Sequence, residues 1–210
     1  EWLYQILVML SFCSSLLFAQ LVDDFSDGDF TSNPVWSGED TSFILNASNQ
    51  LQSDGPSATT SIYLSTPNVQ FQNTEWTFSS ILNLNPSSSN NARVYLMSNN
   101  SNLEDTLRGY FVQLGGESGS VDDIDLYRQD GSSTTKIIDG PDGTLGKDSN
   151  SVSIKVLRDS EGNWSLLADT TGGTNYVLQG NSFDNSYEQT THFGVLVNHT
   201  STRSKMYYFD

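Results

Sequence analysis

The chain has 210 residues, and its 25 acidic and 9 basic side chains give a formal net charge of −16 at pH 7. Such a surface repels phosphate backbones and anionic lipids, which argues against nucleic acid and membranes as partners. The same charge favours solubility and the binding of divalent cations.

The first segment, EWLYQILVMLSFCSSLLFAQ, is an uncharged apolar run after Glu1 that ends in small residues. This pattern predicts a secretory signal-peptide helix over residues 1–19, with cleavage after Ala19. A membrane anchor is the alternative, but the run is short for a spanning helix and no basic residue follows it. We therefore predict a secreted protein at the cell surface, with no membrane insertion after cleavage. Because Cys13 is the single cysteine, the mature chain would fold without disulfides.

Beyond the leader, apolar residues alternate with polar ones, as in half-buried β-strands. Segments rich in Gly, Asn, Asp and Ser separate these runs and predict turns. The pattern indicates an all-β domain over residues 20–210, in which two antiparallel sheets stack as a β-sandwich. The alternating segments, in chain order, are TEWTFSSILNLN, ARVYLMS, RGYFVQLGG, DDIDLYRQ, SVSIKVLRD, NWSLLAD, HFGVLVNH and KMYYFD.

The segment SNSVSIKVLRDSEGNWSLLADTTGG, residues 149–173, predicts a hairpin. One strand ends at Arg158, a turn runs through residues 159–163, and the return strand begins at Trp164. This pattern resembles the laminin-G-like and concanavalin A-like jelly rolls, in which the hairpin often reads V-x-V-x-R-D-x-x-G-x-W. The opening DDFSDGDFTSNPVW and the closing GVLVNHTSTRSKMYYFD are similar to the two ends of such a module.

The whole combination is similar to the N-terminal jelly-roll module of surface-secreted bacterial proteins, some of which have lamin-tail domains. The resemblance implies a jelly-roll sandwich with neighbouring first and last strands. It also implies that the last strand runs on past Asp210, so that the chain is truncated within that strand and further domains follow. The implied role is binding or adhesion, often to sugars, although some proteins of this shape are glucanases.

The opening aspartates are candidates for a structural calcium site. Calcium binds six to eight oxygens. Asp24, Asp27 and Asp29 could supply some of them, and Asp210 would join them if the first and last strands are neighbours. The alternative is an exposed acidic strand edge and turn, where each aspartate caps its own backbone.

No catalytic motif of the glucanase type is present, because the pattern E-x-D-x-x-E does not occur. The nearest candidate is VDDIDLY, in which Asp123 and Asp125 lie on one face of a strand. The alternative is the solvent-facing side of a strand whose Ile124 and Leu126 point inward. The two histidines have opposite strand parity, so they cannot share a zinc ion. We therefore predict a protein that is not an enzyme.

For sugar binding, an exposed aromatic ring with polar neighbours is the expected feature. The candidates are Trp36, Tyr95, Tyr110 and Tyr127, and the alternative for each is a place in the core. The predicted function is a non-catalytic extracellular binding or adhesion module for carbohydrate or cell-surface polysaccharide. A purely structural N-terminal domain and a divergent glycoside hydrolase remain as alternatives.

Overall fold

Fourteen β-strands and a short 3-10 helix (Asp40–Ser42) form the part of the chain that the computed structural model describes, residues 20–119 and 121–210. The signal-peptide prediction for residues 1–19 lies outside the described residues. Within them, no helix is both long and apolar enough to cross a membrane. The strands are β1 (Ser37–Gly38), β2 (Phe43–Leu45), β3 (Leu51–Ser53), β4 (Thr60–Pro67), β5 (Thr74–Leu82), β6 (Asn91–Ser98), β7 (Leu107–Leu114), β8 (Ile124–Gly131), β9 (Ser133–Ile138), β10 (Asn150–Arg158), β11 (Asn163–Asp169), β12 (Val177–Phe183), β13 (His192–His199) and β14 (Tyr207–Phe209).

The strands form two seven-stranded sheets. The front sheet has the order β1-β4-β13-β6-β7-β8-β9, and the back sheet has the order β12-β11-β10-β5-β14-β3-β2. Neighbouring strands pair antiparallel in both sheets. Along one side of the molecule, β9 of the front sheet contacts β12 of the back sheet. The predicted all-β sandwich is therefore confirmed.

The main core lies between the two sheets and is built from alternate residues of each strand. Val112 and Leu126 of the front sheet and Ile154 of the back sheet are among its fully buried side chains. Trp76 and Trp164 stack inside it, with ring centroids 5.8 Å apart and planes 13° from parallel. Burial of apolar surface on this scale is the dominant favourable term in folding, so the predicted period-two pattern accounts for the sandwich.

Strand β6 departs from simple alternation. The sequence predicts Val94 and Leu96 on one face and Tyr95 and Met97 on the other. The register between β6 and β7 shifts between Tyr95 and Met97, and Met97 lies in the main core with Val94 and Leu96. The prediction is wrong for Met97, because a β-bulge inserts an extra residue and turns the following side chain to the other face.

A second, smaller cluster covers part of the outer face of the front sheet. Tyr95, Phe111 and Leu196 point outward from three adjacent strands, opposite in parity to their core neighbours. Leu103 and Leu107, from the connection between β6 and β7 and the start of β7, pack on these side chains and bury them. The rest of the outer face is polar and leads to the candidate site.

Candidate functional site

Two buried aspartates lie on the outer face of the front sheet, where β8 begins. Ile124 and Leu126 point into the main core, so Asp123 and Asp125 point to the opposite face, as their spacing predicts. Both aspartates are only 1% exposed. The alternative of a solvent-facing strand side is therefore right in the direction of these side chains and wrong in their exposure. Residues before β8 and after β9 cover these carboxyl groups; the backbone N–H of Gly140, for example, donates to Asp125 Oδ1 at 2.9 Å.

The ammonium group of Lys136, on β9, lies among three carboxylates. Its Nζ is 2.7 Å from Glu117 Oε1, 2.7 Å from Asp125 Oδ2 and 2.6 Å from Asp139 Oδ1. Burial lowers the pKa of Lys136, but the hydrogen bonds to these carboxylates outweigh it and raise the pKa above its usual range. The carboxylates therefore favour the charged form of this lysine.

Asp123 lies beside these carboxylates but does not form an ion pair with Lys136. Neither of its carboxylate oxygens has a hydrogen-bond partner among the described residues. Burial, reinforced by the charge of Asp125, raises the pKa of Asp123 to about 7. Glu117, Asp123 and Asp125, here called the front-sheet carboxylate cluster, have ligand atoms within 4.8 Å of one another. Two ionised carboxylates have no hydrogen to share, whereas a protonated Asp123 could donate a hydrogen bond to the carboxylate of Asp125.

A strip of polar and aromatic side chains, half-buried except for the buried Gln113, runs beside the cluster. We define the front-face strip as Arg93, Gln113, Glu117, Tyr127 and Lys136. The Nε–H of Arg93 donates to Gln113 Oε1 at 3.1 Å, and Nζ of Lys136 lies 5.8 Å from the centre of the Tyr127 ring. The strip therefore combines an aromatic ring with charged and amide groups that neighbouring side chains hold in place.

Of the four aromatic residues predicted to bind a ligand, the structure places three in the interior. Trp36, Tyr95 and Tyr110 are 6%, 0% and 0% exposed. Each donates its polar hydrogen to an oxygen of a side chain inside the protein. These three rings occupy the core places that the sequence left open as the alternative. Only Tyr127 lies partly at the surface.

The opening aspartates act as turn caps in the structure. Asp24, Asp27 and Asp29 each accept a hydrogen bond from the backbone N–H two residues further on. Asp210 and Asp24 line the same cavity, and burial, followed by the charge of Asp24, raises the pKa of Asp210. Among the described residues, the acidic group whose ligand atoms converge is the front-sheet carboxylate cluster, not this set. These hydrogen bonds are the ones that the capping alternative predicts, and the calcium site at these aspartates stays a prediction.

A cavity of about 680 Å³ opens where the first described residues meet β5 and the end of β14. Trp36, Asp24 and Asp210 all line it, so the structure brings these predicted residues to one place. Ser79 of β5 exchanges two backbone hydrogen bonds with Asp210. In an antiparallel pair, every second residue of a strand bonds to the same neighbouring strand. Thr77 lies two residues before Ser79 on β5, so its backbone N–H and C=O groups also point toward the cavity. Among the described residues they have no hydrogen-bond partner on that side.

Sequence reasoning missed most of the front-face strip. Arg93, Gln113, Glu117 and Lys136 lie on three strands and a connection that are distant in the chain. The available signal was Lys136, a basic residue within a strand-forming segment of a chain that has only 9 lysines and arginines. Its carboxylate partners depend on strand order, which local patterns do not contain.

The arrangement is better suited to binding than to bond cleavage. Hydrolysis by paired carboxyls requires two acidic groups that flank the scissile bond, about 5–5.5 Å apart in retaining enzymes. Asp123 and Asp125 are close together, but both are buried, and Asp125 is held by Lys136 and Gly140. The groups that reach solvent are those of the front-face strip.

No protein-family model matches the sequence, and no curated protein matches it. Solved structures match over most of the chain. The Ca²⁺-bound exoplasmic/lumenal domain of VIP36 is 16% identical, with a TM-score of 0.58 over 90% of this chain and 86% of that one. A legume lectin-like domain from Entamoeba histolytica is 13% identical, with a TM-score of 0.56 over 91% of this chain and 95% of that one.

The carbohydrate-binding module CBM66 from Bacillus subtilis is also similar. It is 11% identical, with a TM-score of 0.55 over 83% of this chain and 91% of that one. At such low identities the similarity shows the fold alone. The chain has the concanavalin A-like jelly-roll fold that the resemblance of its sequence implied.

Proposed function

We propose that the chain is a non-catalytic carbohydrate-binding module whose ligand lies along the front-face strip. The observation that supports this most directly is Tyr127. Its half-buried ring stacks on Phe111, with centroids 5.3 Å apart and planes 6° from parallel, and the charged groups of Lys136 and Arg93 lie nearby. Phe111 and Lys136 flank the two faces of this ring, so its exposed edge can contact the C–H groups of a sugar while the neighbouring polar groups bond to the sugar hydroxyls.

The solved neighbours add support at the level of the fold. VIP36 domains have been solved with Ca²⁺ and mannose and with Ca²⁺ and Man3GlcNAc, and CBM66 is described as a carbohydrate-binding module. One fold can serve many functions, so the proposal rests on the strip rather than on these neighbours.

The charge of the chain narrows the class of ligand. With a formal charge of −16, the protein repels polymers of uronic acids or sulfated sugars at low salt. The proposed ligand is therefore a neutral carbohydrate or polysaccharide. The predicted signal peptide and the resemblance to surface-secreted modules support an extracellular setting, with adhesion at the cell surface as part of a larger protein.

The test is a glycan array that contains neutral and acidic polysaccharides, probed with residues 20–210 and with two matched variants. Tyr127→Ala should weaken binding to the neutral ligand by at least about tenfold, the loss expected for a central aromatic contact. Tyr176→Ala is the control, because Tyr176 is also half-buried and has Nζ of Lys155 at 5.0 Å from its ring, away from the strip. Its affinity should equal that of the parent.

Two results would overturn the proposal. Absence of binding to every glycan, with the protein folded, would favour the purely structural alternative. Release of reducing ends from a polysaccharide, abolished by Asp123→Asn or Asp125→Asn, would instead identify a hydrolase.

A further inference from the structure

The VIP36 domain, which has a similar fold, was solved with bound Ca²⁺. The front-sheet carboxylate cluster can therefore be compared with the ligands that calcium requires. Calcium requires six to eight oxygen ligands at about 2.3–2.6 Å. Asp125 has both oxygens engaged, one by the N–H of Gly140 and the other by Nζ of Lys136. Glu117 Oε1 is also bonded to that ammonium group. An ion within reach of these oxygens would lie against a fixed positive charge, so the residues present do not fit calcium.

We infer that Lys136 takes the structural place of a metal ion, so that the front face keeps its shape without calcium. The three hydrogens of the ammonium group match its three carboxylate partners. These partners come from the connection before β8 (Glu117), from β8 itself (Asp125) and from the connection after β9 (Asp139). One cation therefore joins three separate segments, as a bound metal ion would.

The burial of the lysine agrees with this role. Its side chain is 25% exposed, whereas the side chain of Asp125 is 1% exposed. Charge pairs that are shielded from water act more strongly than exposed ones, and loss of one partner leaves a buried charge uncompensated. Removal of the ammonium would leave Glu117, Asp123 and Asp125 as three converging carboxylates. A divalent cation could therefore bind at this place once the ammonium group of Lys136 is removed.

The experiment compares thermal melting in EDTA with melting in about 10 mM calcium chloride at equal ionic strength. The parent protein should melt at the same temperature in both, within about 1 °C, and should show no calcium binding by calorimetry. Lys136→Met keeps the apolar stem but removes the charge. This variant should melt lower in EDTA and regain at least about 3 °C in calcium, because a ligand that binds only the folded state stabilises it.

Two further variants and a control sharpen the test. Lys136→Arg retains a cation and should remain insensitive to calcium. Lys136→Met combined with Asp123→Asn should lose the calcium response, because Asp123 supplies the free oxygens. Lys155→Met is the matched control: its ammonium lies 2.9 Å from Glu75 Oε1 with its side chain 27% exposed, in a pair with a single carboxylate. No calcium response is expected there.

Calcium binding by the parent protein would overturn the inference even if Lys136→Met fails to fold. A folded Lys136→Met that ignores calcium would overturn it as well. These readouts involve no sugar, so they stand or fall apart from the proposed function. Where a glycan ligand is found, its affinity for the parent protein should be the same in EDTA and in calcium.

Discussion

The carboxyl group of Asp123 makes the stability of the fold depend on pH. An unfolded aspartate has a pKa of about 3.9, whereas burial and the charge of Asp125 raise the pKa of Asp123 to about 7 in the folded protein. Between these values the native state binds a proton that the unfolded state has released. Its contribution to stability is therefore complete below about pH 4 and is lost as the pH rises through about 7.

Asp123→Asn should remove this dependence. The wild-type melting temperature should fall between pH 5 and pH 8, and the variant should fall less and melt higher than wild type at pH 8. Thermal melts across this range at constant ionic strength measure the effect. Asp148→Asn removes one charge that is exposed rather than buried, so its melting temperature should change with pH as that of the wild type does. Equal slopes for Asp123→Asn and wild type would contradict the expectation.

A substitution at Tyr110 tests whether this aromatic residue stabilises the fold or binds a ligand. Its hydroxyl donates to Asp184 Oδ1 and accepts from the backbone N–H of Tyr187. Tyr110→Phe removes both bonds and should destabilise the protein by about 1–2 kcal/mol, since buried partners are left unsatisfied. Urea unfolding measures this loss, and glycan affinity should not change. Lower affinity with unchanged stability would return Tyr110 to the list of ligand-binding residues.

At single residues, the sequence predicts the direction of a side chain better than its exposure. Parity places Asp123 and Asp125 together on the outer face, and the structure agrees. Their burial depends on Gly140 and Lys136, which reach them only through the pairing of β8 with β9 and the connection that follows. The same limit applies to Tyr95, whose cover comes from the connection between β6 and β7.

The hairpin of β10 and β11 shows how far local patterns predict an element. The sequence predicts a strand to Arg158 and a return strand from Trp164, and the structure pairs these two residues directly. Asp159 accepts the backbone N–H groups of Glu161 and Asn163 in the turn. All of these contacts join residues that are close in the chain, so local sequence patterns are enough to predict them. The burial of Arg158, whose guanidinium donates to the carbonyl of Phe71, involves a distant residue and was not predictable.

Gly162 in this turn should be less tolerant of substitution than Gly131 at the end of β8. Both have positive φ, +95° and +64°, so Ala is strained at either position. A Cβ at Gly162 would lie 2.7 Å from Cβ of Asn185, whereas a Cβ at Gly131 would have nothing within 4 Å. Gly162→Ala should lower the melting temperature by several degrees more than Gly131→Ala. Equal losses would show that backbone strain alone decides the effect.

For the whole molecule, alternation predicts the class of fold but not the order of strands. The sandwich follows from period-two burial, which the sequence displays. The order does not, because β13 lies between β4 and β6, and β14 lies between β5 and β3. These pairings join residues that are about one hundred or more positions apart, such as Tyr208 with Gln52. Composition and periodicity could not supply that order, and the resemblance implied only that the first and last strands are neighbours. That implication is wrong, because β1 pairs with β4 in the front sheet and β14 lies between β5 and β3 in the back sheet.

The cavity beside β5 should accept an added strand. An Ile-Thr-Val-Thr extension after Asp210 would continue β14, bond to the backbone of Thr77 and direct its first and third side chains toward Phe78 and Trp76, which line the cavity. Burial of these side chains should raise the melting temperature by several degrees.

The control extension for this experiment has proline as its second residue, which removes the N–H that would bond to Thr77. It should give a clearly smaller rise in melting temperature. Equal rises for both extensions would contradict the formation of a paired strand.

The contact between β9 and β12 links the two sheets close to the proposed sugar face. Gly180 of β12 lies so near Ile138 that a Cβ there would be 2.5 Å from Ile138 Cγ2. Ile138 lies two residues after Lys136 on β9. A methyl group added at Gly180, on the back sheet, would thus press on Ile138, close to the cation that joins the front segments. A substitution at Gly180 should therefore alter the proposed binding face from a residue that lies outside it.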